Sequence, residues 1–128
     1  MFEPAIPFPR TMPLSLAFAE PSTFVVNASG EVTYEEVMEL FEKILAHPRL
    51  GEGSDMLVDA EKVTGVPTTK ELRVIARALR PLHVAGVSAM AIVTSSTFVY
   101  GIARMFSVLA ESSGMRVSAF REMNEAQR

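Results

Sequence analysis

The chain has 128 residues, a mass of 14.0 kDa and a formal net charge of −3. That length makes one domain, and 48% apolar residues suffice for one core. With no cysteine and only two histidines, His47 and His83, disulfides, thiolate catalysis and histidine-rich metal sites are excluded, and the acidic balance speaks against nucleic-acid binding.

Four prolines, Pro4, Pro7, Pro9 and Pro13, punctuate the first thirteen residues. Each fixes φ and removes a donor, so residues 1–13 read as an extended arm, followed by one α/β domain over residues 14–128. Phe2, Ile6 and Phe8 give the arm apolar points with which to lie on the domain or on a neighbour. A signal peptide would need a basic start and a continuous apolar run, and neither is present. The longest apolar run, Val84–Val93, is broken by Gly86 and Ser88 and is too short to span a membrane. The expectation is a soluble, cytoplasmic protein with no integral membrane segment.

Leu14, Leu16 and Phe18 alternate with small residues through Glu20, the pattern of a half-buried strand. Pro21 and Ser22 break it, and Thr23–Ala28 form a second strand joined to the first as a hairpin. Beyond Gly30, Thr33 and Glu36 make a capping box for a helix over residues 33–46, whose buried face is Val37, Leu40, Phe41, Ile44 and Leu45. His47 suits the negative helix end, and Pro48 stops the helix. Asp55–Ala60 read as a short strand and residues 61–67 as a turn. Thr68 and Glu71 make a second capping box, followed by Leu72, Ile75, Ala76, Leu79 and Leu82 at helical spacing, with His83 in the loop after Pro81. Ser88–Thr94 is continuously apolar, like a strand of a parallel sheet buried on both faces. A helix capped by Ser95, Ser96 or Thr97 runs to about Ser112, with Gly114 as its left-handed terminator. Val117–Arg121 is a last strand, and Asn124 with Gln127 can open one more helical turn. Met38, Met56, Met90 and Met105 fall at packing positions.

The order β-β-α-β-α-β-α-β-(α) predicts a single mixed, mainly parallel sheet of about five strands with helices around it. No dinucleotide or phosphate-loop glycine pattern, nucleophile elbow or zinc-protease motif occurs. Gly51 and Gly53 precede a strand and read as a surface turn. Asp55 and Asp59 share a strand face without partners. The chain is therefore expected to have no enzymatic activity, cofactor or metal.

Three stretches resemble bacterial STAS/CRAL-TRIO-like domains with the anti-sigma-factor-antagonist type of fold: V-T-Y-E-E leading to H-P-R-L (residues 32–50), L-V-D-A-E-K-V-T-G-V-P (57–67), and Y-G-I-A-R-M-F with F-R-E-M-N-E-A (100–106 and 120–126). The resemblance covers residues 14–126 and implies a β/α superhelix. It implies a protein-interaction switch phosphorylated on a D-S-S-G-type turn before the helix that follows the central strand. The matching turn is Pro67-Thr68-Thr69-Lys70, which has the hydroxyls but lacks the Asp and Gly. Related folds carry lipids. Proteins of this kind tend to continue with an apolar anchor in the last helix, and this chain stops at Gln127-Arg128.

Thr68 and Thr69 read first as cap and first-turn residues; the functional reading makes them phosphoacceptors, with phosphate favoured at a helix N-terminus. Residues 31–45 carry five glutamates against Lys43, net −4, with Glu35, Glu39 and Glu42 on one face. Residues 69–83 carry Lys70, Arg73, Arg77 and Arg80 against Glu71, net +3. These are two solvated faces or a charged docking surface for a protein partner. The helix 97–112 is apolar nearly all round, which asks for more cover than one sheet face gives. Phe98, Tyr100, Gly101, Arg104, Met105 and Val108 are the candidates for a homodimer interface or for contact with a lipophilic ligand in an apolar cavity. Gly101 in mid-helix suggests close backbone approach, and Arg104 one turn from Tyr100 suggests ring stacking or anion binding.

Overall fold

A computed structural model describes residues 13–127. The arm expected over residues 1–13 lies outside the described residues except for Pro13, whose carbonyl accepts the Ser29 N–H at 2.8 Å.

The chain folds as one five-stranded sheet in sequential order, β1 (Leu14–Ala19), β2 (Thr23–Glu31), β3 (Ser54–Gly65), β4 (Val87–Val93) and β5 (Arg116–Phe120). β1 and β2 are the antiparallel hairpin, and every later neighbour is parallel. The crossovers are α1 (Tyr34–Leu45), α2 (Thr69–Val84) and α3 (Thr97–Leu109), followed by a 3-10 turn over Ala110–Ser113, and α4 (Met123–Ala126) closes the described chain. The mixed α/β sheet with four helices is the expected class.

Sequential parallel strands joined by crossovers of one hand put every crossover on the same face. Phe24, Val26, Met56, Met90 and Val117 accordingly meet Leu40, Phe41 and Ile44 of α1, Leu72, Ile75, Leu79 and Leu82 of α2, and Phe106 of α3 in one core. Leu14, Leu16 and Phe18 pack against its edge. Met56 and Met90 are buried there, and Met38 and Met105 pack half-buried beside them.

The three long helices cover one face only, which corrects the reading of residues 88–94 as a strand buried on both sides along its whole length. Ser88 is exposed and Ala89 and Ala91 are half-buried, while Val93 on the reverse face is fully buried. On the reverse face Ala17, Val25, Leu57, Ala91 and Ser118 stand in one row across five strands. There α4 is the only helix among the described residues at hand, beside Ala89, Ala91 and Phe120. The continuous apolar look of β4 comes from Ala89 and Ala91 on its outer side.

β3 is longer than the 55–60 segment expected. Residues taken for a turn, 61–65, continue pairing with Ser29–Glu31 across two register shifts. Gly30, at φ +67, takes the backbone through that irregularity.

His83 lies inside α2, not in a loop. A proline within a helix costs a hydrogen bond and a clash, but Leu79 and Leu82 on either side of Pro81 are fully buried and hold the turn in place. His83 Nδ1 lies 3.0 Å from the Val87 carbonyl. Gly114 terminates the 3-10 turn at φ +90, as a left-handed C-terminal residue should. α4 begins at Met123, one residue before Asn124, and its cap residue Glu122 makes no side-chain cap bond.

Candidate functional site

Parallel strands direct their carboxyl ends and the following helix N-termini to one end of the sheet, where open α/β sheets place their sites. Both capping boxes form there. Thr33 donates its N–H to Glu36 Oε1 (2.9 Å) and accepts the Glu36 N–H at 3.3 Å. Thr68 donates its N–H to Glu71 Oε1 (2.9 Å), and its hydroxyl accepts the Glu71 N–H at 3.1 Å. The Thr68 hydroxyl is thus tied into the helix end. Thr69, the first residue of α2, is exposed and makes no side-chain hydrogen bond among the described residues.

Beneath these helix ends lies a cavity of about 150 Å³. Its walls are apolar throughout: Val26, Val58, Ala60 and Ile92 of the sheet, Leu40 and Phe41 of α1, Leu72 and Ile75 of α2, and Val99, Ile102, Ala103 and Phe106 of α3. Val32, Val66 and Pro67 extend the lining to the loops before α1 and α2. A pocket of this size with no polar group on its wall favours a small apolar molecule over water.

The α3 candidates lie on the side of the helix away from this cavity, and none of them lines it. Phe98 (61% exposed) and Val108 (63%) are large apolar side chains left in solvent, with exposed Gly101 and Arg104 between them. Met105 packs half-buried against the core, and Tyr100 is half-buried. Among the described residues the close approach expected at Gly101 is absent: a Cβ added there meets nothing within 4 Å. The cavity is reached from the other side of α3, by Val99, Ile102, Ala103 and Phe106.

A polar cluster that sequence spacing does not announce ties the strand ends together. Glu61 of β3 accepts the Ser95 N–H (3.0 Å) and the Ser95 hydroxyl (2.7 Å) on one oxygen. Arg121, just past β5, donates Nη2–H to the Ser95 carbonyl at 2.9 Å. The hydrogen bonds from the Ser95 hydroxyl and amide hold the Glu61 carboxyl below its ordinary range; burial opposes them, and the Arg121 charge adds the least. The Arg121 guanidinium sits 4.9 Å from the Tyr100 ring centre, and Arg104 sits 6.0 Å from the same ring. Ser96 caps α3 by accepting the Val99 N–H at 3.3 Å. Glu61 and Arg121 lie 34 and 26 residues from Ser95, too far for any local motif to link them.

Glu35, Glu39 and Glu42 on α1 and Lys70, Arg73, Arg77 and Arg80 on α2 are all exposed. The two helices pack together, yet no ion pair joins their charged faces; the one ion pair among the described residues is Arg49 with Glu20, at the opposite end of the sheet. Its bidentate hydrogen bonding holds Glu20 below its ordinary range. Among the described residues no group of three or more His, Asp or Glu side chains is placed to hold a metal, and no helix is long and apolar enough to cross a membrane.

Compared with protein-family models and with curated proteins, the sequence finds no match. Among solved structures it is similar to an uncharacterized protein from the DUF3478 family with a SpoIIAA-like fold from Shewanella loihica PV-4, at 18% identity and a TM-score of 0.56, over 89% of each chain. The chain has a SpoIIAA-like fold.

Proposed function

We propose that this SpoIIAA-like domain is a non-enzymatic regulatory module that acts in the cytoplasm by contact with a protein partner and as a homodimer. The observation that carries the reading is Thr69: its hydroxyl is exposed and makes no hydrogen bond among the described residues, at the first position of a sixteen-residue helix, next to a Thr68 whose hydroxyl is committed to the cap. A phosphate there meets the positive end of α2 and lies one turn from Arg73. The unspent acidic and basic faces of α1 and α2 suit electrostatic steering of a partner. Exposed Phe98 and Val108 support α3 as the dimer surface.

The test is intact-mass measurement on protein from its native host. A species heavier by about 80 Da, lost in Thr69→Val and kept in Thr68→Val, is expected. Its absence across growth conditions overturns the switch. For the docking faces, Arg77→Glu and Glu39→Arg should each weaken association and together restore it.

A second reading, a binder of a small lipophilic ligand, is supported by the apolar cavity. Native mass spectrometry of gently purified protein separates the two: a retained apolar ligand on every copy favours the binder, and an empty dimer favours the module.

A further inference from the structure

The apolar cavity beneath the helix N-termini opens to solvent. Val58 and Ile92, on the helix face of the inner strands β3 and β4, line it and are only half-buried, as are Val66 and Pro67 at its rim. Leu14 stands on the same wall, paired with Ala28, which also lines it. Because β1 runs antiparallel to β2, the chain enters the sheet at this end. The Pro13 carbonyl, accepting the Ser29 N–H at 2.8 Å, fixes the point of entry. Residues 1–12 lie outside the described residues, and their sequence holds Phe2, Ile6 and Phe8. Apolar walls open to water favour an apolar occupant, because its burial removes both surfaces from solvent.

We propose that this cavity is the docking site of the chain's own N-terminal segment, with the Phe8 ring as its occupant. Size selects a ring: a cavity of about 150 Å³ takes one benzene-sized group, and Phe8 supplies one. Reach selects Phe8. It lies five residues before Pro13 (13 − 8), a span of ~16 Å at the ~3.1 Å per residue of a proline-rich chain. Ile92, on the farthest strand that lines the cavity, is three strand spacings from β1, ~14 Å. Phe2 hangs on a tether of eleven residues (13 − 2), so its effective concentration at the cavity is lower. Chemistry selects the cavity over the reverse face of the sheet, where Thr23, Asp55 and Arg116 share a row with Ala89. Pro7 and Pro9 on either side of Phe8 restrict its backbone, which lowers the ordering cost of docking. Docked, Phe8 competes with any apolar molecule for the cavity, and by linkage such a molecule releases the segment. The inference goes beyond both readings above and needs neither Thr69 nor a bound ligand.

The experiment is NMR on the full chain, with carbon-13 methyl labels on Ile, Leu and Val and benzene as the probe. Nuclear Overhauser contacts are expected from the Phe8 ring to the methyls of Val66, Val99 and Ile102, and they should vanish in Phe8→Ala. That variant should bind benzene about tenfold more tightly than the parent, as when a competitor fills the cavity about nine-tenths of the time. Phe2→Ala should change benzene affinity by less than about twofold, its longer tether making it the weaker competitor. Absence of the ring contacts overturns the proposal, and so do contacts found only between differently labelled copies, which put a second copy in the cavity. Equal, saturable benzene binding by the parent and Phe8→Ala overturns it while the ligand reading stands; benzene bound by neither counts against both.

Discussion

One carboxylate oxygen of Glu61 accepts both the amide and the hydroxyl of Ser95, at 3.0 and 2.7 Å, so the loop before α3 is fastened to β3. The folded-state pKa of Glu61 is lowered, chiefly by these two bonds. A group with a depressed folded pKa contributes stability that is present above the unfolded value, about 4.3 for glutamate, and that is lost as pH falls through the folded pKa. Glu61→Gln is therefore expected to cost about 0.5–1 kcal/mol at pH 7, an exposed hydrogen-bonded charge being partly screened. The gap to the parent should close in acid. Urea denaturation of both proteins at pH 7 and in acid measures it; a gap that does not change with pH sinks the assignment.

The two threonines before α2 are chemically alike and structurally different. Thr68→Ala removes the acceptor for the Glu71 N–H and should cost about 1 kcal/mol, while Thr69→Ala should stay within about 0.5 kcal/mol. Thermal unfolding of the two variants decides which hydroxyl is structural, and equal losses would contradict the capping geometry.

Gly101 stands exposed in α3 with open space where a Cβ would be. Gly101→Ala should stabilise the isolated chain by about 0.5–1 kcal/mol through helix propensity. Sedimentation analysis of the same variant shows whether a second copy packs closely there: weaker self-association with higher monomer stability points to α3 as the dimer surface.

Gly114 has φ +90, and a Cβ on it would lie 2.8 Å from His83 Cδ2. Gly114→Ala combines backbone strain with this clash and should cost about 2 kcal/mol or more. Adding His83→Ala should recover the steric part and leave the backbone part, an interaction energy that a double-mutant cycle reads directly.

The cavity has room for a larger side chain. Ala103→Leu extends into it from α3 and should raise stability by about 1 kcal/mol while excluding small apolar probes such as xenon. Destabilisation by overpacking would mean that the space is smaller than its walls outline.

Much of this architecture was legible in the chain before any contact was known. The two capping boxes at Thr33 and Thr68, the alternation in Leu14–Phe18 and the terminator at Gly114 are local signals, and local backbone physics honours them. Local rules failed where packing outweighs them. Pro81 and Gly65 read as breaks, yet buried Leu79 and Leu82 carry α2 past the proline, and pairing with β2 carries β3 to the glycine. The candidate site was half visible. Thr68 and Thr69 are legible from the capping pattern before α2, and Tyr100 with Arg104 from their one-turn spacing in α3, whereas Glu61, Ser95 and Arg121 come from three separate segments and share no local pattern.

By itself the sequence determined most of the helix and strand segments and their order along the chain, because hydrogen-bonding caps and apolar periodicity act over a few residues. Only the tertiary structure decided that all three long helices share one face, that an apolar void remains beneath their N-termini, and that Arg104 and Arg121 meet at one ring. Those features depend on how rigid elements of fixed shape pack together, and no window along the chain contains both sides of such a contact.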